Sequence, residues 1–431
     1  MKRRPSEIEN ALQQLDRAHL RRERRTIDGF GEAGSRVTTI VDGRQLVDFS
    51  SNDYLGLARH PAVAAAMSAC AERCGSGSGA SHLVTGHGAE HTRLEEELAA
   101  FTGRERALLF STGYMANLAV ITTLASRGET VLLDRLSHAS LIDGGLLSGA
   151  RFKRFAHADA RAAESALAAH AETASIVATD GVFSMDGDVG PLASLACISR
   201  SHDAWLVVDD AHGLGVIGAT GRGAVEYFGL DAEAVPVLVG TLGKAFGSFG
   251  AFVAGSAELI ELLMQKARSY IYTTALPQPV AAASRKALEI AQRETWRRER
   301  VLALAERFRI AAEQMDLPLM GAHCTAPVTA GAGSTANTRA GSSPGAAESA
   351  RTVAQPLTPI QPLLLGSSEA ALRAQRELFA AGFCVVAIRP PTVPQGSARL
   401  RVTLSAAHTE DQVDKLVETL RRVCTARDMV S

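Results

Sequence analysis

The sequence predicts an α/β protein whose centre is a mostly parallel β-sheet. Short apolar runs recur between residues 107 and 254, and the segments between them have the apolar spacing of helices. Alternating strands and helices are typical of a parallel sheet that helices cover on both faces. Residues that can carry chemistry follow several of these runs, and ligands of such sheets bind outside the carboxyl ends of the strands. We therefore expect one ligand site along that edge.

The N-terminal part of the chain predicts a helix and then a hairpin. Apolar residues recur along one face of residues 6–25, and arginines close this segment, where the helix dipole favours positive charge. Asp42 and Gly43 interrupt the extended run 37–49, and both residue types tolerate the positive φ angles of a tight turn. We expect a helix over 6–25 and a hairpin over 37–49.

The strands and helices of the central region follow from the lengths of the apolar runs. Short runs between turn-forming residues favour buried strands, and longer periodic segments favour helices. The predicted strands are 107–110, 130–133, 151–155, 175–179, 205–209, 235–239 and 251–254. The predicted helices around them include 89–101, 256–268 and a long helix over 278–315.

The length of 431 residues allows two domains, and the composition changes near the C-terminal third. Residues 321–355 are rich in alanine, glycine, serine and threonine and have little to bury, so we expect a flexible surface insertion there. An edge strand is expected to begin near Thr358. We predict an N-terminal arm over 1–55, a large domain over 56–290 and a small C-terminal domain over 291–431.

Composition and charge narrow the class of protein. Hydrophobic residues make up 46% of the chain, charged residues make up 21%, and the net charge is −1, which gives no strong field for nucleic acid. The six cysteines are scattered, which indicates reduced thiols rather than a disulfide framework. No apolar run reaches the ~18 residues of a membrane span, and no apolar segment follows the basic N-terminus. We expect a cytoplasmic chain without nucleic-acid or membrane partners.

Two strand ends carry residues that suit one kind of cofactor. The run Trp205–Asp209 ends in an acid with His212 three residues on, and Thr241-Leu-Gly-Lys-Ala-Phe-Gly247 places Lys244 among glycines. The pKa of a lysine falls near apolar walls, and its free amine can form a Schiff base with an aldehyde. A carboxylate beside a pyridine nitrogen can keep that nitrogen protonated. Taken alone, the heptapeptide is equally typical of a surface lysine in a tight loop.

Together these motifs resemble those of the α-oxoamine synthases, which are pyridoxal-phosphate enzymes of the aspartate-aminotransferase fold. The resemblance covers nearly the whole chain apart from 321–355, and it includes the string Ser50-Ser-Asn-Asp-Tyr-Leu-Gly-Leu57. It implies a fold type I enzyme with a large domain and a small α+β C-terminal domain. It also implies pyridoxal 5′-phosphate as cofactor, no metal, and a homodimer in which Thr274 reaches the phosphate of the neighbouring subunit.

The resemblance implies a role for each candidate residue. Lys244 is expected to hold the cofactor and then remove the Cα proton of the amino acid, while Asp209 pairs with the ring nitrogen and His212 with the ring hydroxyl. His138 is expected to stack on the ring, the alternative being a histidine that caps a loop. The other expected cofactor contacts are Gly113, Tyr114, Ser184 and Thr241.

The resemblance also implies the substrate contacts. They are Arg401, Arg21, Thr392 and His138. Arg401 is expected to grip the amino-acid carboxylate, which suits a bidentate arginine, and Arg399 and Arg389 remain alternatives. Arg21 is expected to help bind the acyl substrate, with Arg22 nearly as good a match.

The implied reaction is a decarboxylative condensation of an amino acid with an acyl thioester. The string Ile388-Arg-Pro-Pro-Thr-Val-Pro394 is most similar to family members that use L-alanine and a pimeloyl thioester in biotin biosynthesis. The alternative is a member that uses glycine or serine, such as 5-aminolevulinate synthase, 2-amino-3-ketobutyrate CoA ligase or serine palmitoyltransferase. The sequence leaves open whether the acyl carrier is coenzyme A or an acyl carrier protein.

Three further patterns favour structure over chemistry. The glycines of 213–218 follow a strand but open no helix, so we expect a loop beside the cofactor rather than a dinucleotide site. The glycine-rich segment 75–88 lacks the Gly-Lys-Ser/Thr of a phosphate loop. His87-Gly-Ala-Glu-His91 matches a metallopeptidase pattern, but its glycine and the nearby helix start favour a capped helix over a zinc site. The resembled family often has arginine where this chain has His82, whose role stays open.

Overall fold

The computed structural model describes residues 5–31, 37–321 and 355–424. Its helices are α1 Pro5–Arg17, α2 Pro61–Cys74, α3 Ala89–Thr102, α4 Gly113–Leu124, α5 Ala139–Leu147, α6 Ala160–Ala168, α7 Leu192–Ser201, α8 Ala224–Tyr227, α9 Ala257–Lys266, α10 Arg268–Ile271, α11 Gln278–Arg293, α12 Trp296–Gln314, α13 Ser368–Ala380 and α14 Glu410–Cys424. Its strands are β1 Ile27–Phe30, β2 Thr38–Val41, β3 Arg44–Asp48, β4 Arg106–Phe110, β5 Thr130–Asp134, β6 Arg151–Phe155, β7 Ala174–Asp180, β8 Trp205–Asp209, β9 Val237–Thr241, β10 Ala251–Gly255, β11 Ile360–Gly366, β12 Phe383–Cys384, β13 Val386–Ile388 and β14 Ala398–Thr403. A π-helical turn covers His82–Gly86.

The central sheet has seven strands in the order β4-β10-β9-β8-β7-β5-β6. β10 is antiparallel to both of its neighbours, whereas β6, β5, β7, β8 and β9 run parallel to one another. The mostly parallel sheet is confirmed, and the seven predicted strands are its strands. The register pairs Asp180 of β7 with Asp209 of β8, so two acids lie side by side at the carboxyl edge.

Both faces of this sheet are buried, as predicted. Along β8, Leu206 and Val208 pack into one apolar cluster and Val207 packs into the other, because successive strand residues point to opposite faces. Burying one such side chain contributes about 1.5–3 kcal/mol. Helices α3, α7 and α11 supply residues to the first cluster, and α4, α5 and α9 supply residues to the second. The ends of the strands are therefore held between two packed layers.

The N-terminal hairpin and a C-terminal strand share a second sheet. Strands β2 and β3 turn at Asp42 and Gly43, whose φ angles of 51° and 71° agree with the predicted turn. β3 then pairs in parallel with β12, which gives the order β1-β2-β3-β12. A third sheet, β11-β14-β13, has β11 at its edge as predicted. The predicted domain bounds after residues 55 and 290 stay predictions.

Three predicted helices were wrong in their bounds. α1 ends at Arg17 rather than at residue 25, since the chain turns at His19, which has a φ angle of 53°. The predicted helix 278–315 is two helices that separate at Glu294, where φ is −96° and ψ is 64°. No glycine or proline marks that break in the sequence. The predicted helix 256–268 ends at Lys266, and the short α10 follows.

The predicted insertion 321–355 lies, apart from its two end residues, outside the described residues. Within the ranges that the structure describes, no helix combines the length and the apolar character needed to span a membrane.

Candidate active site

Predicted chemical residues meet at the carboxyl edge of the central sheet. Asp209 ends β8 and Asp180 ends β7, and Lys244 lies in the turn that follows β9. His138 follows β5 and caps α5, and α4 begins at Gly113 after β4. Four of these five residues are predicted site residues, and the sheet brings all of them to one edge.

The turn after β9 fixes Lys244 in a half-buried position. The Gly247 amide donates to the Lys244 carbonyl at 2.8 Å, and Gly247 has a φ angle of 60°. A β-carbon at Gly247 would lie 2.2 Å from the Ala58 nitrogen, so only glycine fits there. Burial lowers the pKa of Lys244 to about 8, although Asp209 and Asp180 act against this shift. The amine is therefore far closer to its neutral, nucleophilic form than an exposed lysine is.

The paired acids Asp180 and Asp209 differ in their surroundings. Asp209 accepts a hydrogen bond from Asn117 at 2.6 Å and one from the Ala211 amide at 3.1 Å. Asp180 accepts from the His138 amide at 2.9 Å. Burial, and then the charge of Asp209, raise the pKa of Asp180 well above its usual value. Of the two acids, Asp180 is therefore the one whose protonated form burial favours.

A chain of side-chain hydrogen bonds connects Asp209 with the ring of His138. Asn117 donates from Nδ2 to Asp209 Oδ2 at 2.6 Å and to Ser140 Oγ at 2.8 Å. Ser140 Oγ in turn lies 2.7 Å from His138 Nδ1. Burial lowers the pKa of His138, so its ring is neutral near pH 7. The chain fixes the orientation of the imidazole and of the carboxylate together.

His212 and Arg401 meet through a buried tyrosine. The hydroxyl of Tyr54 lies 2.7 Å from His212 Nδ1 and accepts from Arg401 Nη2 at 3.4 Å. Burial, and then the charges of Lys244 and Arg401, hold the pKa of His212 well below its usual value. His212 is therefore neutral and can act as a hydrogen-bond donor to a ring oxygen.

Arg401 is buried on β14, the middle strand of the small C-terminal sheet, and keeps part of its guanidinium free of protein partners. It donates from Nε to the Ser184 carbonyl at 2.6 Å and from Nη1 to Asn52 Oδ1 at 3.0 Å. With the bond to Tyr54, these contacts within the described chain use three of the five N–H groups of an arginine. Two N–H groups remain for a ligand.

The two arginines named as alternatives to Arg401 already bond to other protein groups. Arg399 is buried and pairs with Asp186. Arg389 donates to the His19 carbonyl and, at 3.3 Å, to the Arg21 carbonyl. Because both guanidiniums already have protein partners, Arg401 remains the best candidate for a substrate carboxylate.

On the N-terminal arm, the predicted Arg21 and its alternative Arg22 make different contacts. Arg21 forms an exposed ion pair with Asp16 at 2.8 Å. Arg22 donates instead to Thr392 Oγ1 at 3.2 Å. The structure therefore brings together Thr392 and Arg22, the alternative, and turns Arg21 back onto the arm.

The N-terminus of α4 forms an open cradle for an anion. Thr112 caps the helix by accepting from the Met115 amide at 3.2 Å. The first amides of a helix have no partner within it, so those of Gly113 and Tyr114 can hold a phosphate. A β-carbon at Gly113 would meet no heavy atom within 4 Å. The Tyr114 hydroxyl itself donates to Asp143 and faces outwards.

The other two predicted cofactor contacts, Thr241 and Ser184, both have protein partners. Thr241 Oγ1 donates to the Gly250 carbonyl at 3.1 Å, and the Ser184 carbonyl accepts from Arg401. The whole donor set fits pyridoxal phosphate. It offers an amine of lowered pKa for the aldehyde, a carboxylate for the ring nitrogen and a helix N-terminus for the phosphate.

Sequence reasoning missed four residues of this site: Asn52, Tyr54, Asn117 and Asp180. Asp180 lies one residue beyond the predicted strand 175–179, so reading that strand to its end would have found it. Asn52 and Tyr54 belong to the string Ser50–Leu57, which contributed to the resemblance but in which no site residue was predicted. Asn117 lies within α4, and no local pattern of the sequence marks it.

Comparisons with known proteins agree with this geometry. The family model described as aminotransferase class I and II matches residues 44–420. An 8-amino-7-oxononanoate synthase of Methylococcus capsulatus is 56% identical over 389 residues, which are 90% of this chain and 92% of that protein. The 8-amino-7-oxononanoate synthase structure from Francisella tularensis has a TM-score of 0.69 and 31% identity, and covers 88% of this chain and 97% of that one.

A serine palmitoyltransferase from S. paucimobilis is closer in backbone shape but more distant in sequence. Its structure, with a bound pyridoxal phosphate–myriocin aldimine, has a TM-score of 0.84 and 28% identity, and the match covers 96% of each chain. The match to the family model and the identity to the Methylococcus relative decide the assignment. The chain belongs to the class I and II aminotransferase family and, within it, to the pyridoxal-phosphate-dependent 8-amino-7-oxononanoate synthases.

Proposed function

We propose that this chain condenses L-alanine with a pimeloyl thioester, giving 8-amino-7-oxononanoate, carbon dioxide and the free thiol in biotin biosynthesis. The observation that carries the proposal is Lys244, an amine whose pKa burial lowers to about 8 beside the acids that end β7 and β8. The name of the relative that is 56% identical gives the reaction its substrate class.

Each residue of the candidate site has a role in this proposal. When bound, pyridoxal phosphate supplies an electron sink for the electron pair left at Cα of the amino acid. Lys244 holds the aldehyde carbon, Asp209 keeps the ring nitrogen protonated, and His212 donates to the ring hydroxyl. The amides of Gly113 and Tyr114 hold the phosphate, with Thr241 as a further donor, and His138 covers one face of the ring.

In this proposal, arginines hold the two substrates, and Lys244 moves the Cα proton. Arg401 grips the alanine carboxylate with its two remaining N–H groups and fixes which Cα bond faces Lys244. The Lys244 amine takes the Cα proton, and the Cα electron pair forms a carbon–carbon bond with the thioester carbonyl. The thiol leaves, and the former alanine carboxyl group departs as carbon dioxide. Arg22, with Thr392, receives the acyl substrate.

One specific observation keeps a second candidate open. The serine palmitoyltransferase of S. paucimobilis, with a TM-score of 0.84, has the closer backbone shape. A condensation of serine or glycine with another acyl thioester would use the same lysine and the same acid. The amino-acid substrate therefore has to be measured.

The test is a comparison of amino acids and acyl carriers. The purified holoenzyme is incubated with L-alanine, glycine or L-serine and with pimeloyl-coenzyme A or pimeloyl-acyl carrier protein, and the products are identified by mass spectrometry. We expect 8-amino-7-oxononanoate from alanine, and the more active carrier identifies the donor. A product from glycine or serine alone would move the function to a sister enzyme. No product from any pair would overturn the proposal.

We also propose that the enzyme works as a homodimer. Large apolar side chains stand exposed near the site, namely Phe249 at 50%, Tyr272 at 72% and Val84 at 72%. Exposed apolar groups of this kind mark interfaces. Light scattering during gel filtration should give twice the chain mass.

If Thr274 serves the neighbouring site, mixed dimers of Lys244→Ala and Thr274→Val should regain activity that neither variant shows alone. An active monomer would contradict the proposal.

A further inference from the structure

Three histidines converge at the start of α3, and none of them is among the residues assigned to the candidate active site. His82 comes from the π-helical turn, His87 from the loop that follows, and His91 from the first turn of α3. One possible ligand atom from each histidine lies within 4.8 Å of the others. His82 Nδ1 and His87 Nδ1 face each other at 2.8 Å. The sequence pattern placed only His87 and His91 together, and the turn adds His82.

The hydrogen bonds of His91 fix its tautomer. Its Nε2 lies 2.6 Å from the Leu276 carbonyl, which can only accept, so Nε2 carries the proton. Its Nδ1 therefore has a lone pair, which accepts from the Gly88 amide at 2.9 Å. A histidine that donates its outer nitrogen to a carbonyl is the usual supporting arrangement of a metal ligand.

His87 has the same arrangement on the exposed side of the cluster. Its Nε2 lies 3.0 Å from Thr92 Oγ1 and 3.9 Å from Glu95 Oε2. In the tautomer in which Nε2 donates to Thr92, its Nδ1 presents a lone pair towards His82. His87 is the exposed member of the three, so an ion can enter from its side.

We propose that His82, His87 and His91 form a binding site for a divalent transition-metal ion of the zinc type, with water in the remaining position. Nitrogen–zinc distances are about 2.0–2.1 Å, so tetrahedral ligands lie ~3.3 Å apart. The two facing Nδ1 atoms of His82 and His87 share one proton, which is released when the ion binds, and they need to separate slightly while the third nitrogen approaches. The ion takes the place of the Gly88 amide at His91 Nδ1. Among side chains, imidazole suits zinc, copper and nickel.

The site would brace the segment that precedes α11. His91 already bonds the Leu276 carbonyl, and Ser81 next to His82 forms a bridge with Thr274. A bound ion would connect the residues that make these two contacts, the Leu276 hydrogen bond and the Ser81–Thr274 bridge, through one metal centre. The ion is therefore structural in this proposal, and it takes no part in the condensation.

The test measures zinc and cobalt binding to the holoenzyme after treatment with a chelator. We expect about one Zn²⁺ per chain by equilibrium dialysis, a rise in melting temperature with Zn²⁺, and visible absorption of a tetrahedral Co²⁺ centre. The variants His82→Gln and His87→Ala should each weaken binding by about 10- to 100-fold. His87→Ala removes an exposed side chain, so it keeps the test valid if a variant at a buried position misfolds.

His202→Gln is the matched control, because His202 is half-buried at the end of α7 and outside the cluster. It should leave zinc affinity and the cobalt spectrum unchanged. Equal binding by the wild type and by the double variant His82→Gln/His87→Ala would overturn the proposal. Failure to bind either ion would overturn it as well. Neither result depends on the condensation activity, so the proposed function is tested separately.

Discussion

The strand ends and the N-terminal arm differ in how firmly the fold places their functional side chains. Asp209 and Asp180 are paired by the register of two buried strands. Arg22 lies instead in irregular backbone after α1, and one hydrogen bond of 3.2 Å connects it with Thr392. At the strand ends the fold therefore holds the predicted residues in fixed positions, whereas on the arm a shift of one position changes which arginine contacts Thr392.

The largest effect is expected from Lys244→Ala. It removes the group that holds the cofactor and moves the Cα proton, so kcat should fall by at least about 10³-fold. The measurement is the rate of product formation by mass spectrometry. Lys266→Ala, at the exposed end of α9, is the matched control and should keep its rate. If Lys244→Ala kept more than a tenth of the wild-type activity, Lys244 would not be the catalytic lysine.

The next effect separates the two paired acids. Asp209→Asn removes the charge that keeps the ring nitrogen protonated, so kcat should fall about 10²-fold. Asp180→Asn replaces an acid whose protonated, uncharged form is favoured, because burial raises its pKa well above the usual value. That variant should change kcat only slightly and leave the cofactor absorbance unchanged. Equal losses in both variants would mean that the pair shares its charge.

A smaller effect compares two arginines on the arm. Arg22→Ala should raise the KM for the thioester by about 10-fold, since a hydrogen bond to a charged group contributes about 1.5–3 kcal/mol. Arg21→Ala should change this KM little, because Arg21 forms an exposed ion pair with Asp16. Steady-state kinetics with the acyl substrate varied give both values. A larger increase of KM in Arg21→Ala than in Arg22→Ala would instead favour Arg21, the residue first predicted from the sequence, as the contact of the acyl substrate.

The smallest effect concerns stability at the strand ends. His157 connects Asp134 at the end of β5 at 2.9 Å with Asp188 at 2.8 Å, in the loop that also contains Ser184. Burial alone would lower the pKa of His157, but its hydrogen bonds to Asp134 and Asp188 raise it to about 10. A raised pKa contributes stability that is complete below about pH 6.5 and disappears as the pH rises through the folded value.

The pH dependence of unfolding tests this connection. The difference in urea midpoint between the wild type and His157→Gln should be constant below about pH 6, shrink steadily between about pH 6.5 and 10, and disappear above pH 10. A difference that grows above pH 9 would contradict the assigned charge of His157.

Sequence reasoning found the central sheet and the residues at its strand ends because both have local signals. A buried strand is a short apolar run, and the chemical residues follow it directly, as Asp209 follows Val208. The ends of the helices were harder to predict from the sequence. Glu294 interrupts two helices without any breaker residue, and the positive φ angle of His19 ends the first helix early.

The missed site residues depend on long-range contacts. Asn117 is one polar residue in an apolar helix, and only the packing of α4 against the sheet shows that it reaches Asp209. Tyr54 connects His212 with Arg401 across elements that are far apart in the chain. The histidine cluster likewise needs the π-helical turn, which no sequence pattern predicts. Local patterns cannot report such distances.

The parallel pairing of β3 with β12 has a consequence for synthesis on the ribosome. The Val47 amide donates to the Gly382 carbonyl at 2.8 Å, and the Phe49 amide donates to the Cys384 carbonyl at 2.9 Å. The N-terminal hairpin emerges first but cannot complete its sheet until residue 384 has left the exit tunnel. Arg401, which binds Asn52 and Tyr54 just beyond that hairpin, emerges later still. All seven strands of the central sheet, which end at Gly255, are therefore synthesised before the residues that complete the N-terminal sheet and before Arg401, so the candidate site cannot be complete until the chain is nearly finished.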